Sequence, residues 1–154
     1  MDTTLSGASA NSYATLAQAD EHHADRATAS WAAADDAAKE AALIRATDFI
    51  DSNYIFRSVP ATDEQALENP RDGEDTLQPR LVKATAMLAN ILLTDDPVGK
   101  DTAAITSETK SLDGVGSTST TYAKRPSDPY PEVTKTLGKL ANRRGASASN
   151  MVMR

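Results

Sequence analysis

The chain holds 154 residues, with 16 Lys and Arg against 22 Asp and Glu for a net charge of −6 and no cysteine; this fits one domain plus tails and excludes a disulfide framework, a thiolate zinc site and cysteine chemistry. Its 40% apolar content overstates the core, because 27 of those residues are alanine; Leu, Ile, Val and Phe number only 25, a share below the roughly 20% at which high net charge turns a chain towards disorder. The charge is split, net −11 over residues 1–123 (9 Lys and Arg, 20 Asp and Glu) and net +5 over 124–154 (7 and 2), so the body is poorly suited to the counterion-releasing phosphate contacts that drive non-specific nucleic-acid binding.

Residues 1–11 are small and polar and read as a flexible N-terminus. Thr15-Leu16-Ala17-Gln18 has the form of a capping box and predicts a first helix over about 16–27. WAAADDAAKEAALIRATDFIDSNY, 31–54, supplies a second helix that Asp35 or Asp36 can cap, with Leu43, Ala46, Ile50 and Tyr54 recurring at spacings of three and four. Its alanines keep the buried face slim, so another helix can approach closely. Thr62-Asp63-Glu64-Gln65 suggests a further capping box and a short helix that Pro70 ends. Pro79 suits a first helical turn, and Leu81, Thr85, Leu88 and Leu92 predict a long helix over about 79–94.

Beyond 100 the pattern changes. Thr and Ser alternate loosely about Asp113-Gly114, predicting a β-hairpin of 103–110 with 116–123. Pro131 introduces a short helix to about 141, and GASASNMVMR, 145–154, reads as disordered when unbound. The predicted organisation is mainly α: a flexible N-terminus (1–11), a helical bundle (12–100), a β-hairpin extension (101–123) and a basic C-terminal arm (124–154). Trp31, Leu43, Ile44, Ile50, Leu81, Leu88, Ile91 and Leu92 are the candidate core. Large buried side chains contribute about 1.5–3 kcal/mol each and alanine far less, so so thin a core predicts burial completed beside neighbouring copies. AMLANILL, 86–93, is too short to span a bilayer and MDTTLSGASA lacks a leader's basic and apolar regions, which predicts a soluble protein.

Candidate chemistry is sparse. Asp20, Glu21, His22, His23 and Asp25 gather on one predicted helix, yet each face offers only two ligands where a catalytic zinc takes three, so a solvated face is the better reading and no metal is assigned. Asp35-Asp36 and Asp95-Asp96 sit beside helix ends, where capping explains them. Gly99-Lys100-Asp101 fails the phosphate-loop pattern, because Thr94 stands where glycine is needed and Asp101 where Ser or Thr is needed. The sequence therefore predicts no enzyme and no cofactor. Of seven aromatic residues, Trp31, Phe49, Tyr54 and Phe56 belong to the core region, leaving Tyr13, Tyr122 and Tyr130 as the aromatic candidates for stacking on single-stranded bases.

The order NSYATLAQAD (11–20), Trp31, AAKEAALIRATDFID (37–51), FR (56–57), QAL (65–67), PR (70–71) and a proline-led RLVKATAMLA (80–89) resembles a family of tailed-bacteriophage head-to-tail connector proteins, also called adaptors or head completion proteins. Related sequences often carry the label of a DnaT-like single-stranded-DNA-binding protein. The resemblance covers roughly 11–123 and departs at Asn69, where relatives often have tryptophan. It implies a virion protein of the capsid–tail junction, present in the host cytoplasm during assembly. Twelve copies would form a ring under the portal protein, meet a stopper or other tail component below, and pass duplex DNA through the channel without binding it specifically or contacting a membrane. The candidate portal contacts lie in the basic arm: Arg125, Lys135, Lys139, Arg143 and Arg144 as charges, with Leu137 and Leu140 as apolar anchors. The alternative is a single-stranded-DNA-binding protein.

Overall fold

Thr15 satisfies two amides at once: its hydroxyl accepts the Gln18 N–H at 3.1 Å, and the Gln18 side-chain oxygen accepts the Thr15 N–H at 2.9 Å. Helix α1 accordingly spans Leu16–Ala24 in the computed structural model, which describes residues 1–95 and 128–144. It stops short of the predicted end because Ala27 enters the left-handed region at φ 47 and the Thr28 N–H turns back to the His23 carbonyl at 3.1 Å. The stretch predicted as one second helix is two. Ala34 is extended (ψ 147) and ends α2, Ala29–Ala33; Asp35 then caps α3, Asp36–Asn53, its carboxylate accepting the Ala38 N–H at 2.8 Å.

The chain leaves α3 straight into a three-residue strand, β1 (Tyr54–Phe56). Residues 57–78 then form turns rather than the predicted short helix. Gln65 does reach back to the Thr62 N–H, at 3.1 Å, but its amide group donates to the carbonyls of Leu67 and Pro70 at 2.7 and 3.0 Å. The Ala66 N–H is taken by the Gly7 carbonyl and that of Ala61 by the Pro70 carbonyl. With these donors and acceptors engaged across the loop, no i to i−4 ladder starts there. The Gly7 contact is one of several that tie residues 1–11 to the body. Asp2 exchanges hydrogen bonds with Asn11, its carbonyl accepts the Ser12 N–H, and the terminal amine lies 3.5 Å from the Glu40 carboxylate.

Helix α4, Pro79–Leu92, begins with proline in its first turn, and the Arg45 guanidinium donates to its Leu92 carbonyl at 2.8 Å. α5 spans Pro131–Leu137, and β2, Ala141–Arg143, returns antiparallel to β1 with Tyr54 opposite Arg143, Ile55 opposite Asn142 and Phe56 opposite Ala141. The described residues are thus mainly α with a small antiparallel pair of strands. The hairpin predicted over 101–123 lies outside the described residues, as does the segment 145–154.

α3 and α4 form the centre of the core. Ala42, Leu43, Ala46 and Ile50 are buried together with Leu81, Ala84, Leu88, Ala89 and Leu92, the alanines allowing the close approach that the sequence suggested. Two buried threonines lie on these helices without polar cost. Thr47 and Thr85 return their hydroxyls to the carbonyls four residues earlier, Leu43 and Leu81, both at 3.0 Å, and the Thr47 hydroxyl also accepts the Tyr13 N–H at 3.1 Å. A two-stranded ribbon is marginal by itself; here it is fixed because Tyr54, Phe56 and Ala141 on one side are buried with Tyr130, Val133 and Leu137.

Candidate functional site

The basic arm was the region to which the sequence assigned a contact. In the structure its helix is seated inward. Val133 and Leu137 are wholly buried, Leu140 packs against the same core, and Tyr130 meets Phe49 edge-on at 5.2 Å. The Tyr54 and Thr134 hydroxyls lie 2.6 Å apart. Leu137 is therefore enclosed in the subunit's own interior, and Leu140 is partly buried against it. Lys135, Lys139 and Arg144 are exposed, while Arg143 is half-buried. Lys135 pairs with Glu132 at 2.7 Å in full solvent, a contact of small energetic weight. Arg125 lies outside the described residues.

A second polar cluster gathers where α1, α2 and α3 meet. The His23 Nε2 lies 3.0 Å from the Ala86 carbonyl, so that nitrogen carries the proton, and Nδ1 accepts from the Thr28 hydroxyl at 3.3 Å. The ring stacks on Trp31 with centroids 4.5 Å apart and planes tilted by 30°. Burial holds His23 below the usual histidine range despite the carbonyl contact. Asp20 accepts from the Trp31 indole at 2.7 Å and from Lys39 at 3.1 Å, and the Lys39 ammonium sits 5.6 Å over the Trp31 ring. Although partial burial opposes it, these donors keep Asp20 below the usual carboxylate range. His22 points to the other side, into a cleft of about 360 Å³ with Arg26 and Lys83, where desolvation and then these cations bring it down to about 4. The five-residue acidic and histidine run is thus split between two faces. Among the described residues no three His, Asp or Glu side chains converge as metal ligands.

The third cluster joins three segments that are distant in sequence. Tyr13 donates to Asp51 through a short hydrogen bond, Asn69 donates to the Tyr13 hydroxyl at 3.4 Å, and the Glu68 N–H donates to the other Asp51 oxygen at 3.2 Å. Burial pushes Asp51 up to about 6 against those donors, and pushes Tyr13 up as well. Asn69 is buried in this cluster. Arg71 beside it is buried, paired to Glu68 at 2.8 Å and lying 5.1 Å over the Phe56 ring.

The family model described as "Putative DnaT-like ssDNA binding protein" matches residues 1–154. The chain belongs to that family. No curated protein and no solved structure matches it.

For a DnaT-like family member the placement of the aromatic residues matters most. Tyr13, Trp31, Tyr54, Phe56 and Tyr130 are buried and Phe49 is packed against the core, so among the described residues no aromatic ring stands exposed as a base-stacking platform. Tyr122 lies outside them. Of the other candidate core residues, Leu43, Ile50, Leu81, Leu88 and Leu92 are buried, Ile91 packs against the core and Ile44 is half-buried. Sequence reasoning passed over Ile55, exposed on β1, Arg57, exposed just after it, and the Tyr13–Asp51 bond. The alternation of Tyr54-Ile55-Phe56 was the available signal for the first two; nothing local marked the third. No helix among the described residues is long and apolar enough to cross a membrane.

Proposed function

We propose that the chain is a structural subunit of a tailed-phage head-to-tail connector. In this reading copies close a ring beneath the portal protein, a stopper or tail component attaches below, and duplex DNA slides through. The observation that carries the reading is the combination of an acidic body, 7 Lys and Arg against 16 Asp and Glu over residues 1–95, with aromatic rings turned into the core. Such a surface repels phosphate rather than gripping it. The thin, alanine-rich core favours a part that is completed by neighbours. Arg125, Lys135, Lys139, Arg143 and Arg144 remain the arm's charged portal candidates, while Leu137 is buried in the interior and Leu140 packs against it. No catalytic step and no cofactor enter this function.

Electron microscopy of the purified chain mixed with its portal tests it. Added density as a ring on the portal is the expected result; a bare portal at saturating chain refutes the reading. The second reading, single-stranded-DNA binding, is favoured by the family's description. It requires salt-dependent binding of oligonucleotides, and no binding at low salt removes it.

A further inference from the structure

Four large apolar side chains stand exposed among the described residues, Met1, Leu5, Ile55 and Val59, and Ile55 lies at the centre of the outer face of the strand pair. Ile55 is 54% exposed, and Asn142 opposite it is exposed too. The ladder continues one pair beyond each end of the strands, because the Arg57 N–H bonds the Leu140 carbonyl at 3.2 Å and the Arg144 N–H bonds the Asn53 carbonyl at 2.7 Å. Side chains alternate along a strand, so Arg57 and Arg144, each two steps from the central pair, share the face of Ile55. Both are exposed, as is Lys139 just before Leu140. None of the three cations forms an ion pair among the described residues. An apolar centre with a cationic rim is the anatomy of a contact surface, not of a solvated one.

The complementary surface lies at the opposite end of the same helix. β1 follows directly on the C-terminus of α3, whereas Asp35, Asp36 and Glu40 stand at its N-terminal end. Asp35 and Asp36 are exposed, Asp36 by 80%, with Lys39 3.8 Å away. An 18-residue helix is about 27 Å long, so the subunit presents an acidic end and a basic, apolar-centred end well separated along one axis. Two unlike patches on separate sites meet head to tail and leave each copy with a further patch of each kind, the heterologous geometry that closes rings.

We infer that copies of this chain associate head to tail, the Ile55–Arg57–Arg144 face of one subunit docking on the Asp35–Asp36 end of α3 in the next. This rests on the connector reading for its biological setting, and it moves Arg144 and Lys139 from the portal contact to the contact between copies. Arg57 and Arg144 give electrostatic complementarity and register, and Ile55 provides the desolvated anchor.

Sedimentation velocity of the full chain, over a range of concentration at low salt, tests the contact. The unaltered chain forms multimers; Ile55→Asp, and separately Arg57→Glu, weakens their association by about tenfold or more, with circular dichroism unchanged. Arg57 lies beyond the strand, so its replacement stands as the test should Ile55→Asp loosen the ribbon. Arg144→Asp and Asp36→Arg each weaken association, and the two together restore part of it. Multimers that persist through Ile55→Asp, Arg57→Glu and Arg144→Asp overturn the inference. So do an unaltered chain that stays single at the highest attainable concentration, and an Ile55→Asp variant that keeps its multimers but no longer binds the portal, which would give this face to the portal. The connector reading is judged apart from these results, by the micrographs of the portal mixture.

Discussion

The α3–α4 pair and the loop of residues 57–78 are held by opposite means. The helices meet through Leu43, Ala46 and Ile50 against Leu81, Ala84, Leu88 and Leu92, all wholly buried and apolar. The loop has no regular structure; Leu67, Pro70 and Leu77 pack inward, but its course is set by polar tethers: Asn69 and Glu68 to the Tyr13–Asp51 pair, Gln65 to the Leu67 and Pro70 carbonyls, and Arg71 to Glu68 and Ser58. Apolar burial is non-directional and tolerates any partner of the right size, whereas each tether demands one donor at one place. The first region is robust to the identity of its neighbours and the second is not.

The sharpest way to break this contrast is to empty the helix pair. Leu88→Ala is expected to cost about 2–5 kcal/mol, the range for a truncated core leucine, read as a lower midpoint in urea. A loss below about 1 kcal/mol would mean that the interface relaxes freely and is not the main support. The loop should instead reveal itself through pH. Asp51 rises from 3.8 to about 6 on folding, so the folded state holds its proton more tightly than the unfolded chain. The resulting stabilisation is fully present below about pH 4 and is lost as pH rises through 6, an effect of up to about 3 kcal/mol. His22 and His23 are shifted down, so their contribution runs the other way and falls as pH drops below 6.5. The test is therefore differential: Asp51→Asn should steepen the loss of stability on acidification between pH 6 and 4 relative to the unaltered chain. Parallel curves would show that Asp51 titrates normally. A smaller effect separates the two capping sequences. Asp35→Ala should cost about 1 kcal/mol, since Asp35 caps α3. Thr62→Ala should be nearly silent, because the Thr62 N–H, not its hydroxyl, makes the bond to Gln65. Equal losses at both positions in thermal melts would erase the distinction between region and region.

The same contrast explains what was legible in the sequence. Thr15 with Gln18, Asp35 and Pro79 act within one helical turn, so their meaning is local and readable, and the spacing of Leu81, Leu88 and Leu92 repeats with the helix itself. Thr62 and Gln65 look identical to Thr15 and Gln18 on paper, but the Ala66 amide finds its acceptor at Gly7, a partner no local rule names. The ribbon is hidden for the same reason: Tyr54 and Arg143 pair across most of the chain, and β1 follows α3 without any turn residue to announce it. For the candidate site, the cations Lys139 and Arg144 were visible from charge alone, whereas Ile55 and Arg57 became relevant only once the ladder set them beside those residues.

Trp31 is the sole tryptophan of the chain, and it is sealed against the imidazole of His23 at 4.5 Å. The molecule therefore carries a single optical gauge of the α1–α2 corner: because the indole is buried, opening of that corner to water is expected to shift its fluorescence to the red, without any label being attached.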